Sequence, residues 1–173
     1  MDLAPLIRNI PDFPKPGIQF KDVTTLLLDP PAFKHIIDSW KERYAPREID
    51  AIVGVDARGF IFGAPLAYAM GLPFIPARKK GKLPGETISE DFALEYGTDT
   101  VEVHIDALEE GQRVVIIDDL LATGGTVAAV ARLMKKLKVE VVEAAFVVEL
   151  PPLGGRKALE GLNVHTLVEF MVE

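Results

Sequence analysis

Apolar residues along this chain keep two rhythms, one suited to a helix face and one to a buried strand. Phe33, Ile36, Ile37, Trp40 and Tyr44 recur at helical spacing. Pro30 and Pro31 stand just before them, in a first turn where a missing N–H is tolerated. Residues 52–55 form a short β-branched run ending at Asp56 and read as a strand. Residues 60–70 read as the next helix, closed by Gly71 as its C-terminal cap. A strand over 72–77 follows, then one long excursion over 78–99, rich in Gly, Pro, Thr and charge. Val101, Val103 and Ile105 alternate with polar residues, as in a strand with one wet face. The run RVVII at 113–117 is a solid apolar block of the buried-strand type. A glycine pair precedes a helix over 127–137, and strands over 141–150 and 164–170 flank a short helical segment.

Upstream of the first helix, the segment PDFPKPGIQFKD (11–22) places three prolines and a glycine in seven residues. That excludes a helix and predicts a loop. Strands alternating with helices, several of them fully apolar, predict an α/β fold: a mostly parallel sheet with helices on both faces. No repeat, low-complexity tract or linker interrupts the 173 residues, which predict a single domain over 1–173.

Composition narrows the class of function. Hydrophobic residues are 49% and charged residues 26%, enough for a full core and unlike a disordered chain. Cysteine is absent, which excludes a disulfide framework, a thiolate metal site and a cysteine nucleophile. It also fits a reducing, cytoplasmic setting. The net charge of −7 argues against a chain that grips nucleic acid through its phosphates. The opening MDLAPLIRNI has an acid at Asp2 and no basic start or long apolar core, so no secretory leader is expected. Residues 60–77 carry no charge, but Pro65, Pro73, Pro76, Gly63 and Gly71 divide them into a short helix and a strand. No membrane partner is expected.

The sharpest chemistry lies in VVIIDDLLATGGT, residues 114–126. In open α/β sheets the ligand crevice lies at the carboxyl ends of the strands. A helix N-terminus there offers unpaired N–H groups and a positive dipole end to a phosphate. Gly124 and Gly125 let the backbone approach, and the Thr123 and Thr126 hydroxyls can add hydrogen bonds. Asp118 and Asp119 can accept from sugar hydroxyls. The segment therefore suits a sugar phosphate. The plain alternative is an acidic strand end beside a ligand-free glycine turn, and the paired acids after four β-branched residues weigh against it. Neither GxxxxGK[ST] nor GxGxxG occurs, and too little chain follows the acids for a receiver domain.

Three other places invite a reading. Asp56, Ala57, Arg58 and Gly59 make a second strand-end loop, where the Arg58 fork suits a pyrophosphate or is simply a surface arginine. Arg78, Lys79, Lys80 and Lys82 pack four cations into five residues: a field for a polyanion, a solvated loop, or a nucleic-acid contact. His35, His104 and His165 share no metal-ligand spacing, and Lys135, Lys136 and Lys138 end a helix where cations favour its dipole.

The segment VVIIDDLLATGGT resembles the phosphoribosyl pyrophosphate (PRPP) signature of the type I phosphoribosyltransferases. PDFPKPGIQFKD, VDARGFIFGAPLA, RKKGKLPGETISEDFALEYG and FVVEL resemble, in order, segments of that family's adenine-specific members, from about residue 7 to 170. The resemblance implies a small hood over the sheet and a flexible lid at about 79–99. It implies transfer of phosphoribosyl from PRPP to adenine, giving AMP and pyrophosphate in purine salvage. Mg²⁺ would be held mainly by PRPP and pyrophosphate oxygens, with no direct protein ligand, and the assembly would be a homodimer.

By the same resemblance, Asp118 and Asp119 hold the ribose, while Ala122, Thr123, Gly124, Gly125 and Thr126 hold the 5-phosphate. Asp56, Ala57, Arg58, Arg78 and Lys79 serve the pyrophosphate, with a cis bond between Asp56 and Ala57 and a reach by Arg78 towards a neighbouring subunit. Gln19, Phe20, Lys21 and Leu150 hold adenine, with backbone at Gln19 and Lys21 reading its edge. Relatives often carry arginine where Lys21 stands, which matters only if the side chain has a role. Glu95 acts at the imidazole side of the base, and Tyr96 seals the lid. A phosphoribosyltransferase for hypoxanthine, guanine or xanthine is the nearest alternative, against which FPKPGIQFKD argues. The other is a non-catalytic PRPP or purine sensor, disfavoured by Glu95 and the full lid.

Overall fold

A computed structural model describes residues 1–94 and 96–171. The proline-rich segment resolves into a ribbon in which β1 (Arg8–Pro11) pairs antiparallel with β2 (Gln19–Asp22). This two-stranded ribbon, separate from the main sheet, is the hood. Helix α1 (Pro30–Tyr44) starts where Asp29 Oδ1 accepts the Ala32 N–H at 2.9 Å, a side-chain cap for an orphan donor. Then come β3 (Ala51–Val55), α2 (Arg58–Met70), β4 (Phe74–Lys79), β5 (Thr87–Ala93), β6 (Thr98–His104) and β7 (Arg113–Leu121). Helix α3 (Gly125–Lys136), β8 (Glu140–Glu149), α4 (Gly155–Ala158) and β9 (Val164–Glu169) complete the chain.

The seven strands run in the order β5-β6-β4-β3-β7-β8-β9. From β4 to β9 the pairings are parallel, while β6 joins β4 and β5 joins β6 antiparallel. Period-2 alternation sends neighbouring residues to opposite layers. Val114 and Ile116 of β7 pack with Val127, Val130 and Leu133 of α3. Val115 and Ile117 pack with Ile36, Trp40, Phe62 and Leu66 of α1 and α2. Helices thus cover both faces, and the carboxyl ends of β3 and β7 lie side by side. Among the described residues no helix is long and apolar enough to cross a membrane.

Three expectations are corrected. The excursion over 78–99 contains strand β5, paired with β6 from Thr87–His104 to Ala93–Thr98. The expected wet face of β6 is covered at Glu102, which is buried and accepts the Gly81 N–H at 3.2 Å. Ile105 lies beyond the strand and is exposed. Strand β7 continues through both aspartates to Leu121, with Asp118 opposite Phe146, so the acids lie at the carboxyl end of the strand as expected.

One buried ion cluster ties the layers together. Arg43 grips Glu143 with Nε at 2.7 Å and Nη2 at 2.8 Å, and Tyr44 Oη donates to the same carboxylate at 2.7 Å. Burial alone would push this carboxyl up, but these bonds and the charges of Arg43 and Arg47 pull it down to about 2. A carboxyl depressed in the folded state adds stability that is present above its unfolded value and lost as pH falls. From 4.5 to about 2, that amounts to about 3 kcal/mol. Glu143→Gln is expected to lower the melting temperature at pH 7, with the gap to wild type closing as pH falls towards 2 in a calorimetric series.

Candidate active site

The site grows from the contact between the carboxyl end of β7 and the start of α2. A Cβ on Gly59 would stand 2.7 Å from the Ile117 carbonyl oxygen and 3.1 Å from Asp118 Oδ1, so the helix meets the strand backbone directly. The peptide between Asp56 and Ala57 is cis. Arg58 then extends so that its Nε lies 2.7 Å from Asp119 Oδ2, with Cζ 5.5 Å from the centre of the Phe20 ring.

Asp119 is only 3% exposed, and its Oδ2 accepts no hydrogen bond among the described residues despite the nearby guanidinium. The Arg58 charge meets that oxygen off the hydrogen-bond direction, as an ion pair. Asp118 Oδ1 accepts the Asp119 N–H at 2.9 Å. Burial, then the adjacent Asp119 charge, push the Asp118 carboxyl well above the usual carboxylate range. Burial also raises Asp119, and Arg58 opposes that rise.

Asp56, Lys79, Asp118 and Thr126 line one cavity of about 130 Å³, together with Phe92, Leu94 and Asp99. A second cavity of about 100 Å³ runs along residues 120–127 and shares Asp118 and Thr126 with the first. Ala122, Thr123, Gly124 and Gly125 line this second hollow, at the N-terminus of α3. Arg78 Nε donates to Asp56 Oδ2 at 3.1 Å in its own chain's crevice. Lys79 Nζ lies 2.9 Å from Asp99 Oδ2. A larger groove of about 600 Å³, between α3 and the α4–β9 connection, holds none of the expected site residues.

The hood supplies the roof. Asn9, missed from the sequence, holds two of the expected adenine residues: its Nδ2 donates to Gln19 Oε1 at 2.7 Å, and its Oδ1 accepts from Lys21 Nζ at 2.9 Å. Only the pairing of Asn9 with Lys21 across the ribbon gives it away. Lys21 Nζ also sits 4.6 Å from the Phe170 ring centre, just past β9, so its side chain ties the hood to the end of the main sheet. The Phe13 and Phe20 rings meet edge to face at 5.1 Å. Leu150 is buried just past β8, its N–H donating to the Leu121 carbonyl at 3.0 Å. Lys15 Nζ stands 4.8 Å from the ring of Tyr96, which is otherwise exposed. Glu95 lies outside the described residues. Asp99, the partner of Lys79, was also missed; only its place at the start of β6, facing the basic segment, could have flagged it.

Asp118, Asp119, the α3 N-terminus and the Arg58 loop therefore share one sheet end. Among the described residues, no group of three or more His, Asp or Glu side chains is arranged to hold a metal ion.

Residues 23–162 match the Phosphoribosyl transferase domain family. A relative named adenine phosphoribosyltransferase, from Desulfitobacterium hafniense (strain Y51), is 54% identical over 170 residues, covering 98% of each chain. The crystal structure of an adenine phosphoribosyltransferase from Thermoanaerobacter pseudethanolicus matches with a TM-score of 0.93 at 52% identity, over 97% of this chain and 98% of that one. A Saccharomyces cerevisiae adenine phosphoribosyltransferase, solved with an imino-altritol bisphosphate and adenine, matches with a TM-score of 0.91 at 41% identity, over 95% and 96% of the two chains.

Proposed function

The chain belongs to the adenine phosphoribosyltransferases, and from that premise we infer how its crevice carries the reaction. The enzyme transfers the phosphoribosyl group of PRPP to adenine, giving AMP and pyrophosphate, a purine-salvage step. The observation that carries the assignment of roles is the meeting of the buried Asp119 carboxylate, the α3 N-terminus and Arg58 at one sheet end.

In this reading the amides and hydroxyls of Ala122, Thr123, Gly124, Gly125 and Thr126 receive the 5-phosphate, helped by the positive end of α3. Ribose hydroxyls donate to Asp118 and Asp119. Arg58, Arg78 and Lys79, with the backbone at Asp56 and Ala57, receive the pyrophosphate. Each of these cations already sits against a carboxylate of Asp119, Asp56 or Asp99. The pyrophosphate takes over charges already collected at the site, so little reorganisation accompanies bond cleavage.

Adenine lies between Phe20 and Leu150, its edge read by backbone at Gln19 and Lys21. The bond from the sugar C1 to the pyrophosphate oxygen breaks, the bond to adenine N9 forms, and the N9 proton leaves on the side that Glu95 serves. Positioning supplies much of the acceleration. Tyr96, under Lys15, helps close the site against water, which would otherwise capture the cation-like sugar.

Mg²⁺ would be carried by the substrates and not by protein side chains, and would supply charge neutralisation. The donor set suits a substrate-borne metal, because Asp119, Asp56 and Asp99 already hold Arg58, Arg78 and Lys79. We propose a cytoplasmic homodimer: the cysteine-free chain suits a reducing compartment, and Leu28 and Tyr68 leave apolar surface for a second copy. The pairing of Arg78 and Lys79 within the crevice also favours a substrate role over a nucleic-acid contact for the basic segment.

The test is pyrophosphate release from PRPP and Mg²⁺ with adenine, hypoxanthine, guanine and xanthine offered separately. Release with adenine alone is expected. Preference for an oxo-purine would overturn the base pocket and leave the PRPP site standing. Tight PRPP binding without turnover would overturn the catalytic reading.

A further inference from the structure

Strand β5 forms one edge of the sheet, with β6 as its one strand neighbour among the described residues. It leads directly into residues 94–97, where the Leu94 N–H donates to the Gly97 carbonyl at 3.0 Å and Tyr96 reaches the hood. An edge strand held on one side opens readily, yet this one is fastened to α3 as well. Arg132 Nε donates to Glu90 Oε1 at 2.8 Å, and Lys136 Nζ contacts Glu90 Oε2. Arg132 Nη2 also donates to the Asp91 carbonyl at 3.0 Å. At the far end of the same helix, a Cβ on Gly125 would come 3.7 Å from the Ala93 carbonyl oxygen and 3.9 Å from Phe92 Cδ2. Phe92 itself lines the crevice with Asp118 and Thr126. The helix that ends in the phosphate cradle therefore grips the stem of the lid twice: by ions at Glu90 and by packing at Ala93.

We propose that Glu90 is a positioning residue, which with Arg132 and Lys136 sets the height of the lid over the sugar by fixing β5 to the phosphate-binding helix. This rests on the reading of crevice and lid given above. Partly exposed ion pairs of this kind add little to global stability, so the clamp acts on the placement of β5 rather than on the fold. A lid stem that drifts leaves PRPP binding largely intact, since the cradle stays in place. It admits water, which then takes the sugar in place of adenine: PRPP and water give ribose 5-phosphate and pyrophosphate.

The experiment measures AMP formation and adenine-independent pyrophosphate release in wild type, Glu90→Gln, Glu90→Asp and the double variant Arg132→Met/Lys136→Met. The expected result for Glu90→Gln and the double variant is a kcat for AMP lowered about tenfold, with KM for PRPP within about twofold. The share of PRPP lost to water rises about threefold at an unchanged melting temperature. Glu90→Asp keeps most of the coupling, because the two long cationic side chains can follow a shorter acid. A purely structural role would lower both reactions together, in step with the folded fraction. If Glu90→Gln fails to fold, the double variant carries the same readout from the surface of α3. Folded variants with the wild-type partition overturn the proposal, and a wild-type protein that forms no AMP overturns the reading beneath it as well.

Discussion

Arg58→Gln is expected to lower kcat/KM for PRPP by about 10²–10³-fold, the scale of removing one preorganised donor from a developing charge. Two losses combine. The pyrophosphate loses the bidentate fork that the Arg58 loop presents to it. Asp119 loses the cation 2.7 Å from its Oδ2. Burial already raises the Asp119 carboxyl, and Arg58 is the charge opposing that rise. Without it the carboxyl climbs further, so a smaller fraction is ionised at any given pH, and the acidic limb of the kcat/KM profile moves to higher pH. Stability follows the same sign. An acid whose folded value is raised costs stability as pH climbs from its unfolded to its folded value, and the variant widens that interval. Its melting temperature is therefore expected to fall further below wild type at pH 7 than at pH 4. An unshifted acidic limb would separate Arg58 from Asp119 and leave only the pyrophosphate role.

The layers were legible where burial is one-sided or complete. Phe33, Ile36, Ile37, Trp40 and Tyr44 announce α1 because a helix against a sheet needs one apolar stripe. The run 113–117 announces β7 because a central parallel strand is covered on both faces. Strand β5 escaped notice because its sequence, TISEDFA, is that of an edge, where side chains answer to solvent and to cations on a neighbouring helix. Glu102 defeated the expectation of a wet face because the backbone turn at Gly81 folds back over it and donates to its carboxylate.

The site shows the same division. Asp118, Asp119 and the glycine pair could be read as one unit because strand, turn and helix N-terminus are contiguous in the chain. Asn9 could not, because its value lies in facing Lys21 across a ribbon whose register no local pattern displays. Asp99 is likewise useful only through Lys79 on a neighbouring strand. Contacts made within a few residues are visible in one dimension, whereas contacts set by sheet register are not.

The cradle yields the second large effect, and it separates two adjacent glycines. Gly124 has φ +81°, and a Cβ there would stand 2.7 Å from the Gly155 carbonyl oxygen and 3.1 Å from Ala158 Cβ. Gly155 is as tightly placed, since its own Cβ would collide with the Ala122 carbonyl oxygen. The 122–124 turn and the start of α4 thus touch backbone to backbone, so a Cβ on Gly124 meets a backbone oxygen and not the yielding end of a side chain. A non-glycine residue in the left-handed region already costs roughly 1–2 kcal/mol, and the collision with a backbone oxygen forces the turn itself to move. That turn carries the amides assigned to the 5-phosphate, where a displacement of about 1 Å can cost about 10²-fold. Gly124→Ala is therefore expected to raise KM for PRPP about a hundredfold, read from initial rates at saturating adenine. Gly125 carries no such strain, and its Cβ would meet only ordinary contacts beyond 3.7 Å at Ala93 and Phe92. Gly125→Ala is expected to change KM by less than about fivefold, the contact being of ordinary van der Waals length. Equal effects at the two positions would mean that close approach to the phosphate itself, and not the fit against α4, is what glycine provides at both.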